Sequence, residues 1–145
     1  MLNLSFLKTT LSALPGITNP ETQLIESAAG YDGIVEILNQ RSEGLVIVLE
    51  HNAIGQLQCL PGGFIRSSQS LWVMDTVGFN ENRLQHQQRM FSMLKDIVKT
   101  FNRTGNVQEL SGWNSDSISY GIRNAGTNMT GYEAVFYFDE DIDLA

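Results

Sequence analysis

A chain of 145 residues with 42% hydrophobic content is long enough for one domain, spanning 1–145, to bury a sizeable core. Its formal net charge of −7 excludes unassisted binding to a nucleic-acid backbone, where affinity comes from Lys and Arg neutralising phosphates, and its one cysteine, Cys59, excludes an internal disulfide. No apolar run approaches the ~18 residues a membrane span needs, and Lys8 interrupts the opening MLNLSFLKTTLSALPG with no basic stretch before it, so a soluble intracellular protein with no membrane contact is expected.

In chain order, Leu2, Leu4, Phe6, Leu7, Leu11 and Leu14 have mostly helical spacing, and Leu14-Pro15-Gly16 stops the pattern. Asn19-Pro20-Glu21 restarts it as an N-cap followed by proline at the first helical position. The apolar face that follows contains Gly30 and Gly33. It reads either as one broken helix or as a helix to about Ala29, a turn, and a second segment to Asn39. Leu45 to Glu50 is a continuous apolar run suited to a strand buried on both faces, and is expected to be the central strand. His51 to Gly55 then reads as a hairpin connection to a second strand at Gln56 to Leu60, broken by Pro61-Gly62-Gly63. Leu71 to Val77 is a third strand.

The segment from Gly78 to Arg103 carries the strongest pattern. Asn80 is placed to cap a helix beginning near Glu81, with Phe79 and Leu84 at hydrophobic-staple spacing. Leu84, Met90, Phe91, Leu94, Ile97, Val98 and Phe101 recur at intervals of three, four and seven, which puts them on one stripe, and Phe91, Leu94 and Val98 are expected to supply the core. Arg83, Arg89, Lys95, Lys99 and Arg103 mostly lie off it, and Thr104-Gly105 marks the stop. After a loop, Ser117 to Ile122 and Tyr132 to Phe138 alternate polar and apolar around a turn at Asn124 to Asn128, forming a last hairpin. The order α-βββ-α-ββ implies an α+β fold: a mostly antiparallel sheet of about five strands covered on one face by helices.

Catalytic and metal motifs are scarce. Cys59 with His51 or His86 would give a nucleophile and base for a hydrolase, but Cys59 sits in a strand pattern, where a small packing residue is the ordinary reading. His86 reads as a partly solvated helix-face residue. The glycine pairs lack the spacing of phosphate-binding loops, and Asp139, Glu140, Asp141 and Asp143 lack the glycine and glutamate of a calcium loop. No catalytic residue, metal ligand or cofactor site is therefore assigned. The four acids read as a solvent-facing or channel-lining tail after a strand ending at Phe138, since unpaired carboxylates are not buried.

Charge distribution is more informative. Residues 19 to 43 carry Glu21, Glu26, Asp32, Glu36 and Glu43 against Arg41, whereas the long helix is cationic. Either the two regions complement each other within one chain, or neighbouring copies meet acidic face to basic face; in the second case Glu26, Glu36, Arg89, Lys95 and Lys99 form the subunit interface.

In this layout the chain resembles the small tail-terminator and head–tail joining proteins of long-tailed bacteriophages and prophages. The pieces that carry the resemblance are the helical region Glu21 to Asn39, the strands from Leu45 to Val77, the helix Glu81 to Arg103 and the hairpin Ser117 to Phe138, closing on Gly131-Tyr132-Glu133-Ala134-Val135-Phe136-Tyr137-Phe138. The resemblance implies a non-catalytic virion protein, assembled in the bacterial cytoplasm, whose copies form a ring that caps the tail tube or joins it to the head. Its partners would be itself and other tail or connector proteins, with DNA passing by without specific binding. The alternative from composition alone is a small cytosolic adaptor or binding module.

Overall fold

The computed structural model describes residues 4–27, 30–39, 44–50, 55–57, 64–78, 80–104, 113–125 and 128–141. The helices are α1 Leu4–Ser12, α2 Pro20–Gln23, α3 Gly30–Asn39 and α4 Arg83–Thr104. The strands are β1 Leu24–Ser27, β2 Val46–Glu50, β3 Gly55–Leu57, β4 Phe64–Thr76, β5 Trp113–Ala125 and β6 Met129–Asp141. The fold is α+β: the strands form one sheet in the order β1-β2-β4-β6-β5, with β3 also paired to β4. Every pairing is antiparallel except β1 with β2.

The sheet is organised on β4 rather than on the expected central strand at Leu45 to Glu50. All of β4, from Phe64 to Thr76, pairs with β6, while its other edge carries β2 at Ser70 to Met74 and β3 at Ile65 to Ser67. β2 and β3 therefore lie in line along one edge of β4 and do not pair with each other, which corrects the expected hairpin between them. The reversal falls between β3 and β4, where Pro61-Gly62-Gly63 stands in the sequence. β2 is buried on both faces as its composition dictates: Val46, Ile47, Val48 and Leu49 are each 0% exposed.

A second correction concerns Leu24 to Ser27. The helix opened by Pro20 lasts one turn, and the chain then pairs with β2 in parallel, Leu24 opposite Ile47 and Ser27 opposite Glu50. Asn19 occupies the N-cap position without a side-chain cap bond. Gln23 instead reaches back from inside the turn: its Oε1 accepts the backbone N–H groups of Thr18 and Asn19 at 2.8 Å each, and its Nε2 donates to the carbonyls of Gly16 and Leu45. That clamp ties the loop after α1 to the start of β2. Gly16, at φ +93, lets the chain leave Leu14-Pro15 in the left-handed region.

Alternation sorts the core onto two faces. On one, Leu7, Leu11, Leu14 and Ile17, with Met90, Met93, Leu94, Ile97 and Phe101 of α4, pack on Leu24, Ile47, Leu49, Leu71, Val73, Ala134 and Phe136. On the other, Ile34 and Leu38 of α3 cover Val46, Val48, Trp72, Met74 and Met129. α1 and α4 are the expected cover; α3 adds one on the second face that the single-face layout lacked. The stripe of α4 is also rotated from the expected one. Phe91 and Val98 sit at its margin, partly buried, and Leu84 is 58% exposed.

α4 begins at Arg83, and its cap is Asn82 rather than Asn80. The Asn82 Oδ1 accepts the Leu84 N–H at 3.0 Å and its carbonyl accepts the Gln85 N–H at 3.2 Å. With Leu84 exposed, the staple is not formed from its side, and Phe79 lies outside the described residues.

The last hairpin is longer than its sequence pattern. β5 and β6 pair from Ala125–Met129 to Trp113–Phe138, with a register shift between Asn114 and Ser119. β6 does not stop at Phe138: Asp139, Glu140 and Asp141 pair with Arg66, Ile65 and Phe64. The backbone ladder with the long arm of β4 extends through the acids, so these three belong to the sheet and not to a tail; Asp143 lies outside the described residues.

Candidate functional site

Two features stand out on α4, one on each flank. On the side of β2, a charged cluster joins the helix to β4. Asp75 projects from the end of β4 toward α4 and is buried, and His86, one turn into the helix, is 8% exposed rather than partly solvated as expected. Its Nδ1 lies 2.7 Å from Asp75 Oδ2 and its Nε2 lies 2.5 Å from Glu81 Oε2. Arg89, one turn further on, donates through Nη2 to the same Asp75 oxygen, and Glu81 Oε1 accepts the Gly78 N–H at 2.9 Å. A carboxylate thus stands at each ring nitrogen. That is the geometry of a clamp between strand end and helix start, because a general base needs one nitrogen open toward a nucleophile. Among the described residues, no group of three His, Cys, Asp or Glu side chains is arranged to hold a metal ion. Next to the cluster is an open cavity of about 500 Å³, lined by Gly16, Leu45, Asp75, Arg89, Met93 and Asp96 among others.

The opposite flank of α4 is apolar. Phe91 packs against Tyr120 of β5 and Tyr132 of β6, with ring centroids 5.6 and 5.5 Å apart, and Lys95 Nζ sits 5.3 Å over the Phe91 ring. A groove of about 320 Å³ runs along this line, bounded by Phe91, Leu94, Val98, Ile118 and Tyr120 with Lys95 and Lys99 at its margin. Among the described residues the exposed large hydrophobics are Leu84 and Tyr120 at 58% and Ile122 at 50%. The fold brings all three to this flank. Ile118, Tyr120 and Ile122 alternate onto one face of β5, and Leu84 precedes Phe91 and Val98 on one line of the helix at seven-residue spacing. Arg83 fixes the alignment by donating to Asn124 Oδ1 at 2.8 Å, and Gln87 by donating to Thr130 Oγ1 at 3.0 Å.

The residues expected at a subunit interface separate into two groups. Arg89 is committed to Asp75, and Glu26 pairs with Lys8 at 3.9 Å, both partners being partly exposed. Lys95 and Lys99 border the apolar groove, and Glu36 is exposed on α3. α3 and α4 lie on opposite faces of the sheet, so Glu36 does not meet the α4 cations within one copy. Cys59 and His51 lie outside the described residues. No helix among the described residues is long and apolar enough to cross a membrane.

The sequence reading missed the Asp75–His86 clamp, although its signal was present. His86, Met90, Met93, Ile97 and Phe101 are spaced by four, three, four and four, so His86 heads the buried stripe, and a lone aspartate ends an apolar strand just before it. No protein-family model matches the chain, and no curated protein matches its sequence.

Proposed function

We propose that the protein is a non-catalytic structural subunit whose copies associate head to tail into a ring, and that this ring terminates the tail tube or joins tail to head in a long-tailed phage or prophage virion. The supporting observation is the asymmetry of the sheet. It ends in two unlike edges, β1 at one side and β5 at the other, and the apolar, lysine-bordered flank lies at the β5 side alone. Unlike complementary edges suit a heterologous contact, which closes into a ring when the rotation permits. The virion role rests on the layout resemblance: a helical region, strands, one long crossing helix and a closing hairpin.

Light scattering of the purified protein, combined with negative-stain imaging, tests the reading. The expected result is a multiple of the 16.1 kDa chain mass and annular particles seen along their axis. A strictly monomeric species at every concentration would overturn it and favour a single-copy binding module.

A further inference from the structure

We propose that the flank between α4 and β5 receives the acidic β1 side of a second copy of this chain. The inference rests on the reading of the protein as a self-assembling subunit and names the surface through which it assembles.

Three observations carry it. The first is concentration of exposed apolar surface: Leu84, Tyr120 and Ile122, the exposed large hydrophobics among the described residues, all lie on this flank, beside a groove floored by Phe91, Val98 and Ile118. From Leu84 to Val98 the helix advances about 21 Å, and β5 runs beside it, so the strip is a contact surface rather than a small-molecule pocket. The second is backbone. β5 ends the sheet order and carries no further strand on its outer side among the described residues, which leaves an edge able to pair.

The third is charge. Lys95 and Lys99, both exposed, border the groove and call for an acidic occupant. The chain has a net charge of −7, which opposes docking on an anionic membrane or nucleic acid. It also carries the matching acids itself: Glu21 on α2 and Glu36 on α3 are exposed, and α2 leads directly into β1, the strand at the other end of the sheet. Glu21 stands beside β1, four strand spacings or about 19 Å from β5, and Glu36 lies on α3, across the sheet from α4, so neither acid reaches the flank of its own copy. A neighbour supplies them.

The test uses the full chain and two charge-reversed variants, all at exposed positions. Lys95→Glu/Lys99→Glu makes both surfaces acidic, and Glu21→Lys/Glu36→Lys makes both basic. Each variant alone is expected to run at monomer mass with an unchanged circular-dichroism spectrum and melting temperature, under conditions where the wild type assembles. Mixed in equal amounts, they are expected to recover the assembled mass, because every joint in an alternating array is again acid against base. Separately, Tyr120→Ser/Ile122→Ser is expected to shift the wild-type protein toward monomer. The assignment is overturned if both reversed variants assemble alone, if the mixture stays monomeric, or if the Tyr120/Ile122 variant assembles like the wild type. In each of those cases an assembled wild type leaves the ring reading standing; a monomeric wild type removes the ring reading itself.

Discussion

Gly131 shows how closely β4 and β6 approach. It is buried opposite Met74, and a Cβ built on it would stand 1.9 Å from the Val73 carbonyl oxygen, with backbone and not a flexible side chain in the way. Gly131→Ala is expected to cost about 2–3 kcal/mol or more in urea denaturation, since the two strands must separate. Gly121, in β5, is the control: a Cβ there meets nothing within 4 Å, and Gly121→Ala is expected to be neutral or to stabilise by about 0.5 kcal/mol. Side-chain burial on α4 gives a second pair. Phe101 is 1% exposed and meets Phe136 edge-on at 5.3 Å, so Phe101→Ala is expected to cost about 3–5 kcal/mol. Phe91, at the margin of the core, is expected to cost clearly less in the same measurement while weakening association. An equal loss at the two positions would place Phe91 inside the core. The apolar period revealed that α4 is amphipathic, but Leu84 and Phe91 matched it as well as Met93 did. Only the position of the sheet under the helix, with Phe91 at its β5 margin and Leu84 beyond it, decides which side of the stripe is buried.

Among the elements, the long helix and the final hairpin were legible because each carries its own period, and the strand at Leu45 to Glu50 because its apolar run is unbroken. β1 was not. Its four residues continue a helical spacing, and what makes them a strand is the edge of β2, a partner far away in the sequence. The direction of β3 was hidden for a related reason. Pro61-Gly62-Gly63 and the His51 to Gly55 stretch are equally good turn signals, and only the length of β4, able to hold β2 and β3 end to end, selects between them. The start of α4 shows how local signals compete: Asn80 and Asn82 both suit a cap, and the geometry uses Asn82, leaving Glu81 free to reach Gly78 and His86. Asn82→Ala is expected to lower stability by about 1 kcal/mol in thermal or chemical denaturation, and Asn80→Ala to leave it unchanged. The reverse order would return the cap to Asn80.

At the scale of the whole molecule, the opposite charges of the two helical regions were visible in the sequence, but their separation was not. The sheet places α3 and α4 on different faces, so Glu36 and the α4 cations do not neutralise each other within one copy. Association is therefore expected to weaken between ~0.1 and ~1 M salt, as the Debye length falls from about 10 to about 3 Å, and to persist in part through Tyr120 and Ile122. Light scattering across that series checks it, and an unchanged mass would assign the contact to apolar surface alone. The same sheet sets an order of events while the chain is made. Among the described strands β6 is the last to leave the ribosome, yet it lies between β4 and β5 and pairs with β4 along its whole length, from Thr76–Met129 to Phe64–Asp141. Until it arrives, β4 presents a thirteen-residue bare edge that includes Leu71, Trp72 and Val73. Joining the halves requires closing the chain across α4 and β5, so refolding is expected to be slow, with a yield that falls as concentration rises. A chain cut before Met129 is expected to aggregate through that edge, because the strand that seals the seam is missing.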